Sequence, residues 1–268
     1  MNYTEKIVIN KSLKEDVLCY WQMDADIDET VGVNSRYLPK GQNLLIFNQG
    51  SDFEYFDSTE FKFLNPKIFV IPAFATSRII NQKGKIDLFG ISFIGDGLYK
   101  LMEQPLAKII DDFPKNSKQK YQELHTELSK LNFSKKTEYV EEFLLTNLNH
   151  NLKSPPFQQA IKVIHQARGI VSISNIAKNV CVSVRQLQRL FKTRIGISPK
   201  DYCKIIRLNN YIDFILNNDE SVDWMELVVE FDYHDQPHLI NEVKSITKLS
   251  PKKLQSYRDT LYHRYTLA

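Results

Sequence analysis

The sequence predicts an α+β protein of two domains, with a β-rich N-terminal domain, trailing helices and an all-α C-terminal domain. Short apolar runs alternate with turn residues up to about residue 97, which is typical of a sandwich or small barrel. From Gly97 onward the apolar residues recur with helical spacing. A stretch near the C-terminus then repeats at a distance of 52 residues, which indicates two similar helical units.

The β-rich half contains four apolar runs that are expected to form strands, at 44–48, 61–64, 67–72 and 86–94. Its aromatic residues are Tyr20, Trp21, Tyr37, Phe47, Phe53, Tyr55 and Phe56. These side chains either fill a core, which is the favoured interpretation, or line a pocket for a small molecule. The first histidine of the chain is His125, so the composition excludes a histidine-based metal centre in this half.

Three amphipathic segments follow, at 98–113, where Pro105 interrupts the helix, and at 120–131 and 137–152. They either pair with a second copy of themselves or pack back on their own domain. The prolines at 155 and 156 predict an extended linker at 153–156. We therefore divide the chain into a β-rich sensory or dimerisation domain at 1–114, a helical connector at 115–156 and a third region at 157–268.

The third region opens with a helix at 157–168, whose Ala160, Ile161, Ile164 and His165 are spaced for a core. Serines are expected to cap the helices that follow. Ser183 and Gln186 have the spacing of a capping box, and Ser198-Pro199 opens a long helix that ends near residue 217. At about 1.5 Å per residue, this helix spans roughly 27 Å.

The helix after Ser183 has two unlike faces. An apolar stripe is formed by Leu187, Leu190 and Phe191. The opposite side carries Arg185, Gln188, Arg189 and Lys192. Arg pairs with guanine and Gln with adenine, so this side suits base edges and phosphates. On this stretch alone, a solvated amphipathic helix fits equally well.

The internal repeat favours the first interpretation. FKTRIGISPKDY at 191–202 aligns with VKSITKLSPKKL at 243–254, and upstream Ile176-Ala177 aligns with Val228-Val229. Each copy predicts a short helix, a tight turn, an amphipathic helix and then Ser-Pro at the start of another helix. This is the helix-turn-helix arrangement, used twice.

The region 161–258 resembles the DNA-binding domain of AraC/XylS-type transcription regulators, and 20–101 faintly resembles the cupin-like sensory domains that precede it. The resemblance implies a bacterial, cytoplasmic activator or repressor that binds double-stranded DNA. It also implies three further partners: a small-molecule effector, RNA polymerase and a second copy of the chain.

The second repeat departs from the family pattern. Asp232 stands where the family usually has glycine, and Pro237, Ile240 and Asn241 align with Arg185, Gln188 and Arg189. The remaining candidate DNA contacts are Gln236, His238, Asn241 and Lys244. Residues 157–210 carry ten Lys or Arg and one Asp, a net charge of +9, whereas 211–268 carry −4. We therefore expect the first repeat to bind DNA more specifically than the second.

The other sequence features narrow the function by exclusion. The chain lacks the Gly-rich phosphate loop, G-x-S-x-G and HExxH motifs, so we expect no enzyme, catalytic residue or cofactor. Its three cysteines show neither a zinc pattern nor a disulfide framework, and are expected to be buried free thiols; His234 and His238 alone do not make a metal site. The charged N-terminus and the lack of an 18-residue apolar run favour a protein without a signal peptide or membrane helix.

The alternative from another class is a sensor or protein-interaction regulator whose module no longer binds DNA specifically.

Overall fold

The computed structural model describes residues 2–28, 33–51, 54–56, 62–64, 67–106, 118–217, 224–256 and 266–267. Its strands are β1 Asn2–Ile7, β2 Val17–Ile27, β3 Val33–Tyr37, β4 Asn43–Asn48, β5 Glu54–Phe56, β6 Lys62–Leu64, β7 Ile68–Ile71, β8 Arg78–Gln82, β9 Gly84–Phe93 and β10 Thr266–Leu267. Its α-helices are α1 Gly97–Met102, α2 Lys118–Leu128, α3 Phe133–Asn147, α4 Pro155–Gln166, α5 Ile173–Asn179, α6 Val184–Arg194, α7 Pro199–Asn217, α8 Trp224–Glu230, α9 Gln236–Thr247 and α10 Pro251–Gln255. The predicted α+β class is confirmed.

The described strands form two five-stranded antiparallel sheets, in the orders β1-β2-β9-β4-β7 and β10-β3-β8-β5-β6; all of these strands belong to the N-terminal half except β10, which comes from the C-terminal end of the chain. The long strands β2 and β9 pair from Val17 opposite Phe93 to Ile27 opposite Gly84. Because side chains alternate along a strand, one face of the first sheet carries Tyr20 and the other carries Trp21. The Trp21 face packs toward the second sheet, and the Tyr20 face packs toward helices. The predicted sandwich is therefore present, with a helical layer on one side.

The aromatic side chains that the structure describes in this half are packed. Tyr20 and Phe47 are fully buried under the helices, and Trp21 is buried on the other face of the sheet. A Cβ at Gly90 would lie 2.1 Å from the Trp21 indole, so only glycine fits opposite this ring. Phe53 lies outside the described residues, as do the side chains of Tyr55 and Phe56.

The helices of the connector pack back on their own domain. Leu124 and Leu128 of α2 and Val140 and Leu144 of α3 are buried in the cluster that contains Tyr20. Both helices begin earlier than the apolar spacing predicts, at Lys118 and Phe133, because polar residues form their first turns. The predicted helix at 98–113 ends at Met102, before Pro105, and its remainder from 107 lies outside the described residues.

The expectation of an extended linker at 153–156 is wrong. Ser154 is the N-cap of α4, and both prolines occupy the first turn of that helix. Proline fits there because its fixed φ is already helical and its missing N–H would have had no helical acceptor. The chain therefore passes into the third region through a helix.

Two other expectations about buried residues are also wrong. His165 is exposed on α4, where its ring nitrogen Nε2 lies 3.0 Å from the Tyr202 hydroxyl, although Ala160 and Ile164 are buried as predicted. Cys19 and Cys203 are buried free thiols, whereas Cys181 is exposed because it lies in a turn.

The third region is built on α7, which serves two separate apolar clusters. Its first half, including Tyr202 and Ile205, packs with α4, α5 and α6. Its second half, including Leu208 and Ile212, packs with α8 and α9. The 19 residues of α7 span about 28 Å at roughly 1.5 Å each. The two helix-turn-helix units thus lie at successive positions along one rod.

Candidate nucleic-acid interface

Helix α6 begins at a complete capping box. The Gln186 N–H donates to the Ser183 hydroxyl at 3.2 Å, and the Ser183 N–H donates to Gln186 Oε1 at 2.9 Å. These two bonds satisfy N–H groups that have no acceptor within the helix. The predicted box is confirmed, and it fixes the end of the helix that a helix-turn-helix protein presents to DNA bases.

The apolar side of α6 anchors the helix in the first cluster. Leu187 and Phe191 are fully buried, and the Phe191 ring packs edge-on against Phe157 and Tyr202, with centroid separations of 5.2 and 5.6 Å. Burial of such a ring contributes about 1.5–3 kcal/mol. The helix is therefore held from one side only, so its other side is free to contact a partner.

The polar side of α6 is exposed, as the sequence predicts. Arg185, Gln188, Arg189 and Lys192 all lie on the surface. Within the described part of the chain, none of the four makes an intramolecular hydrogen bond or ion pair. Three cationic side chains and one amide are thus available on a single face, with no internal partner to displace.

Helix α9 is the second copy, and its exposed residues differ. Asp235 caps it by accepting from the His238 N–H at 2.8 Å, and this hydrogen bond is the main reason that the pKa of Asp235 is lowered. The candidate contacts Gln236, His238, Asn241 and Lys244 are all exposed. The His238 ring is partly engaged internally, since Nδ1 accepts from the His234 N–H at 3.3 Å.

The two caps, Ser183 and Asp235, are 52 residues apart, which supports the matching of the predicted contact positions on α6 and α9. Upstream of the caps, however, the gapless alignment is wrong. Leu227 and Val228 are the buried equivalents of Ile176 and Ala177, and Val229 is exposed.

The reason is that the second turn is one residue longer than the first. Tyr233 donates its N–H to Val228 O, as Val182 does to Ala177 O, but His234 then intervenes before the Asp235 cap. The left-handed residues are Cys181 in the first turn, at φ 54°, and Asp232 in the second, at φ 51°. Both repeats therefore have a residue other than glycine at the left-handed position of the turn.

Several basic residues of the first repeat are engaged internally. Arg194 is buried and bonded to Asp96, and Arg207 Nη2 lies 2.6 Å from Glu242 Oε1. Glu242 also accepts from the Tyr233 hydroxyl at 3.0 Å. Conversely, Lys178 on α5 and Lys200 on α7 are exposed cations that the helix pattern does not single out. These two lysines lie on other helices than the Arg and Gln pattern of α6, so the sequence analysis did not identify them.

Comparison with known proteins identifies the third region. Residues 176–257 match the family described as a helix-turn-helix domain. The HTH-type transcriptional regulator ArgR from Pseudomonas aeruginosa is 25% identical over 88 residues, which are 33% of this chain and 26% of ArgR. Through this region the chain is similar to AraC/XylS-type regulators. The resemblance predicted from the sequence is thus confirmed for the third region.

The other matches include solved structures and a family model of the N-terminal half. ToxT from Vibrio cholerae has the same fold, with a TM-score of 0.50 at 9% identity over 88% of this chain and 98% of ToxT. An AraC-type DNA-binding protein from Chromobacterium violaceum is 25% identical over 39% of this chain and 92% of its own, with a TM-score of 0.35. Residues 7–114 match a family described as a domain of unknown function, DUF6597. The chain spans about a quarter of the length of ArgR.

The described residues contain neither a candidate metal site nor a candidate membrane-spanning helix. No group of three or more His, Cys, Asp or Glu side chains is placed to hold a metal ion among them. Over the same ranges, no helix is both long and apolar enough to cross a membrane.

Proposed function

We propose that the chain is a sequence-specific DNA-binding transcription regulator, and that α6 is its base-reading helix. The observation that carries the proposal is the exposed face of Arg185, Gln188, Arg189 and Lys192, which has no internal partners in the described structure. An arginine can donate two hydrogen bonds to guanine, and a glutamine side chain matches the donor and acceptor of adenine. An exposed lysine at the far end of the same face suits a phosphate.

The second helix is proposed to position the domain more than to specify sequence. Pro237 and Ile240 offer no side-chain hydrogen bonds at two of the three positions equivalent to Arg185, Gln188 and Arg189. Lys244 is proposed as a phosphate contact, and Gln236, His238 and Asn241 as weaker base contacts.

The N-terminal domain is proposed to sense a small molecule or to support dimerisation, with RNA polymerase as a further partner in a bacterial cytoplasm. The division at 1–114, 115–156 and 157–268 is part of this proposal. The last boundary falls within the first turn of α4.

The proposal is tested by selecting bound sequences from random duplexes with the full chain, with and without cell extract as a source of effector. We expect the selected duplexes to share one short, well-defined base sequence, which we call the box. Arg189→Ala should relax the preference at one base of that box. Lys130→Ala removes an exposed cation of the N-terminal domain and should leave the box unchanged. Failure to enrich any sequence would contradict specific reading.

A second candidate function follows from the acidic second half, which has a net charge of −4 over 211–268. In that case the module would contact a protein partner and would not bind DNA specifically. The two functions differ in a simple measurement on unrelated duplexes. A DNA-binding protein should bind them with an affinity that falls steeply as salt rises, because bound phosphates release counterions. The interaction module should show no such binding.

A further inference from the structure

The N-terminal domain inserts a side chain into each of the two helix-turn-helix clusters. Leu38, between β3 and β4, is fully buried with Leu208 and Tyr211 in the second cluster. Ala73, just after β7, is buried with Phe157 and Phe191 in the first. The apolar cores of both units are therefore completed by residues from the other domain.

The N-terminal domain also bonds to the C-terminal end of α9. The last carbonyl groups of a helix have no partner within it and need donors from elsewhere. The Ser77 N–H donates to Ile246 O at 2.6 Å, and the Ser77 hydroxyl donates to Thr247 O at 2.8 Å. Arg36 donates to the same hydroxyl at 3.1 Å, so Ser77 is held in place from its own domain.

A second contact joins the C-terminal end of α6 to the N-terminal domain, here through a side chain of the helix. Arg194 is the last residue of that helix, and its guanidinium donates to Asp96 and, at 2.8 Å, to Leu152 O. It also lies 4.7 Å from the centre of the Tyr99 ring. Asp96 precedes α1 of the N-terminal domain, so this contact again joins the two domains.

The Arg194 contact is part of a buried, balanced network. Lys100 Nζ lies 3.0 Å from Asp96 Oδ1 and 2.6 Å from Asp16 Oδ1, and both carboxylates and the ammonium are almost completely buried. Two cations and two carboxylates neutralise one another. Removing one member would leave a buried charge without its partner, which is costly, so the network favours one arrangement of the domains.

These contacts leave the proposed DNA-binding faces open. The eight candidate contact residues of α6 and α9 remain exposed, while Ser77 and Asp96 contact the C-terminal ends of the same helices. The docked domain therefore leaves these side chains uncovered. The two helix-turn-helix units share no cluster residues; besides α7, which runs through both, they are joined by an exposed ion pair between Arg168 and Glu230 and by the largely buried pair of Arg207 and Glu242.

We propose that the N-terminal domain acts as a brace that sets the relative placement of α6 and α9, and that Ser77 and Asp96 are the positioning residues. The proposal rests on the proposed function for its consequence, which is that α9 contacts phosphates at one fixed distance from the box that α6 reads. Its structural part, a fixed separation between the two units, does not depend on DNA.

The separation can be measured with a spin label on each turn. Cys181 is the one exposed cysteine, and Asp232→Cys places the second label at the equivalent left-handed position. We expect a single narrow distance distribution from pulsed electron spin resonance without DNA. Ser77→Ala and Asp96→Asn, alone and together, should broaden it about twofold, because each frees one helix end from the brace.

A matched control separates positioning from loss of stability. Ser92→Ala removes a buried hydroxyl within the first sheet, and Ser92 is not a member of the network. It should leave the distance distribution narrow. Ser77→Ala keeps every charge, so it tests the proposal even where Asp96→Asn fails to fold.

The DNA consequence is measured separately on unlabelled protein, using the selected duplex and duplexes shortened by single base pairs on the side of the box that α9 would contact. Loss of the brace should weaken binding to the full duplex about tenfold and flatten the dependence on duplex length, as the competent arrangement becomes less populated. Unchanged distances in both variants would overturn the brace. Tighter DNA binding by Ser77→Ala would mean that the Ser77 contact inhibits DNA binding, and it would overturn the positioning role. If the wild-type chain binds no duplex but the distances respond, the proposed function fails and the brace stands.

Discussion

The unequal roles of α6 and α9 lead to a test with matched positions. Arg189 and Asn241 occupy equivalent places six residues after their caps, and Lys192 and Lys244 occupy equivalent places three residues further on. All four are exposed, so alanine at any of them should change the free energy of unfolding by no more than about 0.5 kcal/mol. Differences in DNA binding between the four variants can therefore be assigned to the interface.

The expected losses follow from the chemistry of each position. The Arg189 guanidinium has no internal partner in the described structure, so nothing offsets the loss of two hydrogen bonds to a guanine. Arg189→Ala should weaken specific binding by about 1–3 kcal/mol, which is roughly 5- to 150-fold. Asn241→Ala should cost less than about 0.5 kcal/mol if α9 reads little sequence. Either lysine variant should lower affinity for every duplex and reduce the salt slope by about 0.9.

The assay is fluorescence anisotropy on the selected duplex and on single-base variants of it, over a series of salt concentrations. Equal losses for Arg189→Ala and Asn241→Ala, each confined to one base of its own box, would refute the unequal roles. A loss for Arg189→Ala that is the same on all sequences would make Arg189 a phosphate contact.

Three further outcomes are expected. Ser183→Ala removes the hydroxyl that accepts from the Gln186 N–H, while the Ser183 N–H keeps its bond to Gln186 Oε1; it should lower the free energy of unfolding by about 1 kcal/mol in urea, as should Ser172→Ala at the cap of α5. Lys136 is buried beside Gln22 and Gln49, and burial lowers its pKa, so the folded state binds fewer protons than the unfolded chain. The contribution of Lys136 to stability should therefore increase as pH rises toward the ordinary lysine pKa of about 10.4. Lys136→Met should abolish this increase and should stabilise the protein by about 1 kcal/mol at neutral pH. An equal pH dependence in both proteins would contradict the argument. The purified full chain should retain no stoichiometric metal in elemental analysis, because the half before His125 has no histidine and no group of three or more His, Cys, Asp or Glu side chains among the described residues is placed to hold an ion.

The local features of the DNA-binding region could be predicted from the sequence. The capping box at Ser183, the apolar stripe of α6 and the proline at the start of α7 depend on residues within four positions of one another. The extra residue of the second turn was missed because the repeats match on both sides of it, and only the hydrogen bonds of Tyr233 and the burial of Leu227 reveal the shift.

The contacts between domains could not have been found in this way. Ser77 and Thr247 are 170 residues apart, and Arg194 and Asp96 are 98 apart, and neither pair has a local pattern. Arg194 follows the basic residues of α6 and by composition belongs with them. Its burial against the other domain is a consequence of tertiary packing that residue spacing does not encode.

Burial also changes the meaning of the charge asymmetry. Of the ten cations at 157–210, Arg194 and Arg207 face Asp96 and Glu242, which lie outside that segment, so the positive charge left for a polyanion is closer to +7 than +9. The same Arg207–Glu242 pair removes one negative charge from the −4 of 211–268. The contrast between the halves therefore decreases but keeps its sign. Because Arg185, Arg189 and Lys192 retain their exposure, the proposed base-reading helix keeps three of the cations that remain available to a polyanion.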